Sequence, residues 1–455
     1  MRKALFAALL VVIALGALAG AAQKSDRTVA FNVVLNVPVD DVLLSRLQAF
    51  GRIRDVVPEI DAVLMQARES QLEEIQRLPF VAAANPDRER EGSPIDTVLV
   101  EDFANGLSTW NLDAINVTDT GFDNRKVEQD GTGVYVAVLD TGLLDTWRQY
   151  FPEERIATEY GMSFAGGGAM GRGAVSEQPN KWEHDTNSHG THVTSTILGY
   201  SLEGTPVNGV APMATIIPVK VLNQNGSGWS SVIARGIVYV ADLKKNLFGD
   251  SPVVINMSLG GPLLDAVEKA AIDYAVECGV IVVASAGNRG NAGMGYPGAY
   301  GPVISAAMSG WIGEWTSGSW WYASNVADPT NPAHFYIDPL SSRAKQGQDL
   351  DVAAPGTWVV GPYQLQSGKI SYFFLGGTSM ASPHVAGTVA LMLQKDKTLS
   401  AAEAEAILTS TAVSLTPGCR TVIDPFVGPT SICWGADATG AGLLDTAAAL
   451  AAITP

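Results

Sequence analysis

Histidine and cysteine are both scarce in this chain, with five and three among 455 residues. No H-E-x-x-H occurs, so the HGTH pair of His189 and His192 lacks the pattern of a zinc-peptidase helix. No G-x-S-x-G occurs either, which removes the signature of a serine esterase of the α/β-hydrolase type. There is no internal repeat and no low-complexity tract. Basic side chains are few: 29 stand against 46 acidic ones, for a net charge of −17. An acidic surface repels phosphates, so nucleic acid is not an expected partner, and the charge serves solubility. Beyond the first residues no apolar run is long enough to cross a bilayer.

The length exceeds what one small core needs and suggests two or three folding units. Hydrophobic residues make up 47%, and 47 glycines with 24 prolines imply many tight turns. The chain opens with Arg2 and Lys3, an apolar stretch from Ala4 to Leu18, and small-x-small sites ending at Ala19 and Ala21. That layout predicts a secretory signal peptide over 1–21, a secreted or periplasmic product, and no membrane contact after its removal. In an exported protein a disulfide between Cys419 and Cys433 is expected, across a loop holding Pro425, Gly428 and Pro429. Cys278, between a helix and an apolar strand, reads as a buried free thiol.

Strand, helix, strand, helix, strand follow one another over 28–87, a compact α+β unit. The segment DREREGSP, residues 87–94, then reads as an exposed, cleavable linker. From Gly133 onward, short strands apolar on both faces alternate with helices. This predicts an α/β fold with three layers (helices, a mainly parallel sheet, helices). Ligand clefts in such sheets lie at the carboxyl ends of the strands. Asp140, Ser258 and Asn288 fall at or just past such ends, and His189 and Ser379 start helices. Residues 309–340 break the rhythm with four tryptophans among Gly, Ser, Asn and Pro. They read as an insertion packing its own small core; exposed, they would serve a substrate or partner.

The run GTSMASPH, residues 377–384, places Ser379 among small neighbours. VYVAVLDTG ends in Asp140, and HDTNSHGTHVTS carries His189. Ser379 and Asp140 alone have bland readings, a helix N-cap and a turn aspartate. Together, an acid, an imidazole and a hydroxyl in that chain order are the parts of a nucleophilic serine site. Asp145 and Asp185 are neighbouring acids, and His192 and His384 read as packed, hydrogen-bonded residues.

These segments resemble the subtilisin-like serine proteases from Trp110 to Ala448. WNLDAI, VAVLDTG, HGTHV, NGSGWSSVIARGI, VINMSLGG, VVASAGN, GGTSMASPHVAG and GAGLLDTAAAL carry the likeness in order. A related-fold family uses a Glu base and an Asp at the oxyanion site; His189 and Asn288 stand in those places here. The resemblance implies that Ser379 is the nucleophile, His189 the general base, Asp140 its orienting acid and Asn288 the oxyanion donor. It implies a peptide strand laid between Gly226-Ser227-Gly228-Trp229 and Ser258-Leu259-Gly260, with Gly295 at the base of the first specificity pocket. Arg289 would reach the pocket rim and give some tolerance for an acidic residue there. The unit over 24–95 resembles the family's inhibitory propeptide, which makes 96–455 the catalytic domain and predicts a cut between Asp87 and Asn105. Protein or peptide substrates and the chain's own propeptide are the expected partners, in a monomer. No cofactor is required for the chemistry. A structural calcium is common in the family, and Glu153 and Glu203 stand at positions resembling its tight site, although both depart from the usual residues.

Overall fold

The computed structural model describes residues 26–99, 109–119, 125–164, 175–316, 326–365, 369 and 371–454. The expected signal segment and part of the predicted cleavage range, residues 100–105, lie outside them. The N-terminal unit runs β1 (Thr28–Leu35), α1 (Asp41–Gln48), β2 (Gly51–Val57), β3 (Ala62–Arg68), α2 (Leu72–Gln76) and β4 (Val81–Pro86). Its sheet is antiparallel in the order β2-β3-β1-β4. Phe31, Val33, Val63 and Met65 on one face pack against Leu47 and Ile75 of the helices. The Asp40 carboxylate fixes the start of α1 by accepting the Leu43 N–H at 2.8 Å. The sequence reading has no strand at β2, because this edge strand carries Arg52, Arg54 and Asp55 and buries only Val57.

The segment 87–94 departs from its expected form. It is not an exposed linker: β5 (Glu89–Glu91) is a strand with Arg90 fully buried, and β6 (Asp96–Leu99) follows it. Alternating charges resemble a solvated tether only while their partners, far away in sequence, are unknown.

The main body contains α3 (Trp110–Ala114), β7 (Tyr135–Asp140), β8 (Met162–Ser163), α4 (His189–Leu198), β9 (Gly199–Leu202), β10 (Thr205–Asn208), β11 (Thr215–Lys220) and β12 (Ser227–Trp229). It continues through α5 (Ser230–Leu243), β13 (Val253–Met257), α6 (Ala266–Glu277), β14 (Val280–Ser285), β15 (Ile304–Trp311), β16 (Phe335–Ile337), β17 (Val352–Pro355), β18 (Val359–Pro362) and β19 (Tyr372–Gly376). It ends with α7 (Thr378–Lys395), α8 (Ala401–Thr411), β20 (Gly418–Asp424), β21 (Gly428–Trp434) and α9 (Thr446–Ala452).

The central sheet has the order β16-β15-β14-β13-β7-β11-β8, with β17 also on β15. All its pairs are parallel except β15 with β16. Strands buried on both faces require a helix layer on each. Val136 and Val138 join a core with α4 and α7, while Ala137 and Leu139 join one with α5 and α6. The result is the expected three-layer α/β/α arrangement. The N-terminal sheet covers the outer side of α5 and α6 through Val57, Ile60, Ala62 and Leu64. It also supplies caps to both helices. Asn85 Oδ1 accepts the Ala266 N–H at 2.9 Å, and Asp87 accepts the Ser231 N–H at 3.1 Å and its hydroxyl at 2.7 Å.

The ends of the tryptophan-rich stretch, expected as a loop or hairpin insertion, pair with each other as β15 and β16, and its described tryptophans pack on the body. Trp311 stacks with Trp110 at 6.3 Å, and Trp315 meets Trp358 and Phe374 at 5.4 and 4.8 Å. Trp320 and Trp321 lie outside the described residues. Cys419 and Cys433 face each other across the β20–β21 hairpin and are disulfide-bonded; Cys278 is free and half-buried.

Candidate active site

β7 ends in Asp140, whose carboxylate is fully buried and accepts the Thr141 N–H at 2.7 Å. His189 opens α4 and is equally buried. Its Nδ1 meets both Asp140 oxygens, at 2.8 and 2.9 Å, which assigns the proton to Nδ1. Nε2 is then left as an acceptor, buried and without a partner. Ser188, just before this helix, holds a left-handed backbone (φ 71°), a conformation costly for a serine.

Ser379 lies in the first turn of α7, and its hydroxyl donates to the Ser258 carbonyl at 3.2 Å. The same carbonyl oxygen lies 2.7 Å from where a Cβ on Gly92 would stand, and His189 Cε1 lies 3.4 Å from that point. The Ser258 carbonyl that holds the Ser379 hydroxyl and the edge of the His189 ring thus both border the backbone at Gly92. Gly377 takes φ 147°, open to glycine, which turns β19 sharply into α7. Behind the serine, Ser258 donates to the Ser379 carbonyl at 2.8 Å, Asn256 to Ser258 at 3.1 Å, and Ser382 to Asn256 at 2.7 Å. Sequence reading missed Asn256 and Ser382; the signal was a polar residue inside the apolar run VVINM.

Asn288 follows β14. Its Oδ1 accepts both the N–H and the hydroxyl of Thr378, at 2.9 and 2.8 Å, so its amide nitrogen is the end left for the cleft. The cleft holds about 700 Å³ and is lined by Gly260, Ser285, Asn288, Arg289, Gly295 and Ser379, among others. Arg289 lies in that wall and donates to the carbonyls of Gly293 and Met294 at 3.4 and 3.1 Å. Leu259 is turned into the core.

The chain itself crosses the cleft. β5 pairs antiparallel with β12, placing Glu91, Arg90 and Glu89 opposite Ser227, Gly228 and Trp229. On its other side Glu91 and Gly260 exchange N–H···O bonds at 3.0 and 2.9 Å. The Gly92 N–H donates to the Gly226 carbonyl at 2.8 Å, and the Ile95 N–H to that of Gly376 at 2.7 Å. β6 then pairs with β19.

Other titratable groups are set by burial. Desolvation drives His192 down to about 3 and His384 to about 4, so both are neutral; they bond the Val359 and Met380 carbonyls at 3.1 and 2.8 Å. Burial raises Asp185 to about 6, although Lys220 and the N–H groups of Asn187 and Ser188 oppose it. The calcium expectation at Glu153 and Glu203 gains no donor set. Glu153 pairs with Arg148 at 3.1 Å, and Glu203 is an exposed residue between β9 and β10. Among the described residues, the acidic group able to gather round a cation is instead Asp349, Asp351 and Glu405, whose oxygens lie within 4.8 Å of one another. Asp351 already accepts the N–H and hydroxyl of Ser305, at 2.7 and 2.8 Å.

Comparison with known proteins matches residues 131–441 to the subtilase family. Subtilisin DY of Bacillus licheniformis is 35% identical over 289 residues, covering 63% of this chain and 85% of that protein. Thermitase of Thermoactinomyces vulgaris is 30% identical over 271 residues, covering 60% and 78%. Among solved structures, fervidolysin from Fervidobacterium pennivorans, a keratinolytic enzyme related to subtilisin, superposes with a TM-score of 0.67 at 24% identity. That match covers 95% of this chain but 62% of fervidolysin, and at such identity it speaks to fold alone.

Proposed function

This chain belongs to the subtilase family of serine proteases, and on that footing we propose that it is a secreted endopeptidase with a triad of Asp140, His189 and Ser379, made as a self-processing zymogen. The observation that carries the triad is the His189 ring, held by both Asp140 oxygens with its buried Nε2 unpartnered. Rotation of that hydroxyl from the Ser258 carbonyl towards Nε2 starts the reaction. His189 takes the proton as Oγ attacks the substrate carbonyl. The tetrahedral oxyanion takes hydrogen bonds from the Asn288 amide and the Ser379 N–H. His189 then returns the proton to the leaving amine, and water hydrolyses the acyl-enzyme by the same steps. Asp140 stabilises the imidazolium throughout.

The N-terminal unit acts as the intramolecular inhibitor: it caps α5 and α6 and fills the strand position where a substrate would bind. Protein and peptide substrates, a monomeric state and export after loss of the leader complete the reading. Arg289, in the cleft wall, lets the first specificity pocket tolerate an acidic residue; unchanged discrimination between Glu and Leu peptides in Arg289→Ser would remove that role.

The test is a fluorophosphonate probe with mass spectrometry of the purified protein. Labelling confined to Ser379, a new N-terminus, and cleavage of a diverse peptide library are expected. A chain that takes no label and cuts no peptide would instead be a non-catalytic, peptide-binding relative.

A further inference from the structure

We infer that the cleft contains a subsite, built on Glu268, that selects an arginine at the fourth residue before the cleaved bond. This rests on the proteolytic reading above. The 89–92 segment is bonded through its backbone to β12 on one side and Gly260 on the other, as an added substrate strand would be. Its side chains therefore report the pockets a substrate would meet. Gly92 passes beside His189, and Ile95 is tied to Gly376 just before the turn into α7. Ser93 and Pro94 lie between those points and line the cavity with Ser379, and we take the bond after Ser93 as the one presented to it. Arg90 is the third residue before Ser93.

Arg90 and Glu268 are both fully buried. The guanidinium grips the carboxylate with two bonds, Nε to Oε1 at 3.0 Å and Nη2 to Oε2 at 2.5 Å, and Nη2 also donates to the Leu263 carbonyl at 3.1 Å. This planar fork suits arginine better than lysine. Gly261 forms the entrance: a Cβ there would stand 2.7 Å from Arg90 Nη1 and 2.5 Å from the Glu89 carbonyl oxygen. Asp265, also buried, adds a second carboxylate that favours the cation electrostatically. Glu268 belongs to α6, whereas Arg90 departs with the N-terminal unit at maturation. Departure uncovers this part of α6 and leaves the Glu268 carboxylate without its counter-ion; an incoming arginine restores the paired fork, and an apolar or acidic side chain does not.

Enzyme matured from the full chain is assayed on internally quenched peptides that differ only in Arg, Lys or Leu at that position. The expected kcat/KM for Arg exceeds that for Leu by about 10-fold, the scale of a hydrogen bond to a charged group, with Lys between. Arg90→Leu/Glu268→Leu removes both charges, so the N-terminal unit docks without an unpaired one, and the order of Arg and Leu peptides should reverse. Equal rates on Arg and Leu peptides in the unsubstituted enzyme would overturn the inference, as would an Arg preference that survives the double substitution. If the double variant does not fold, the first comparison still decides. Labelled Ser379 with hydrolysis but no Arg preference removes this inference alone; no labelling and no hydrolysis removes the proteolytic reading and this with it.

Discussion

The Asn288 side chain is locked by Thr378, which gives both its N–H and its hydroxyl to the single oxygen Oδ1. An amide held at that end has only its NH₂ group to offer the cleft. Asn288→Ala should lower kcat by about 100- to 1000-fold with little change in KM, a magnitude taken from a subtilisin rather than from this chain. Thr378→Val removes one of the two holding bonds and should cost about 10-fold in kcat, one hydrogen bond's worth. Steady-state kinetics check both. A Thr378→Val enzyme with full kcat would show that the backbone bond alone orients the amide.

Asp140→Asn should lower kcat by about 10⁴-fold at neutral pH, the scale of the same change in another serine protease triad. The amide nitrogen would face the Nδ1 edge and favour the wrong tautomer. Kinetics on one peptide, with circular dichroism to confirm the fold, decide it; a loss under 10-fold would mean His189 does not depend on this acid.

The residue after Ser93 is Pro94, which lacks an N–H and restricts the backbone before it. Pro94→Ala should therefore speed the cut after Ser93 when the chain matures. Time-resolved mass spectrometry of the N-terminus would record the gain. Equal rates, or cutting elsewhere in both proteins, would show that this bond is not the one attacked.

Burial raises the Glu314 carboxyl to about 8, and it bonds the hydroxyls of Tyr336 (at 2.8 Å) and Thr357. The folded state thus keeps a proton that the unfolded chain loses near its ordinary value of 4.5. Its contribution is full below about 4.5 and is lost as pH rises towards 8. Denaturant midpoints at pH 5 and pH 8 should fall further apart in the unsubstituted protein than in Glu314→Gln, which cannot ionise. Asp185, Asp338 and Asp351, each raised to about 6 by burial, give a shared slope at lower pH in both proteins. Identical pH slopes would place the Glu314 proton in solution.

Much of the sheet was legible because β7, β11, β13 and β14 are short apolar runs with helices between them, a pattern that only burial on both faces satisfies. The edge strand β2 and the inserted strand β5 were not, because each has one side or one partner that its own residues do not reveal. Gly226 and Gly260 hold the threaded chain through their backbone carbonyls and N–H groups, and Ser258 holds the Ser379 hydroxyl through its carbonyl. Any residue offers such groups, so only the position of the strands distinguishes them.

By itself the sequence determined which chemical groups are present, in which order, and at which ends of strands and helices, since periodicity and turn residues act over a few neighbours. The tertiary structure decided which distant groups meet: that Arg90 finds Glu268 across 178 residues of chain, and that the Ser379 hydroxyl rests on Ser258 while His189 Nε2 stands open. A buried charge or hydroxyl takes its character from its partner, and the choice of partner is made only when the layers pack.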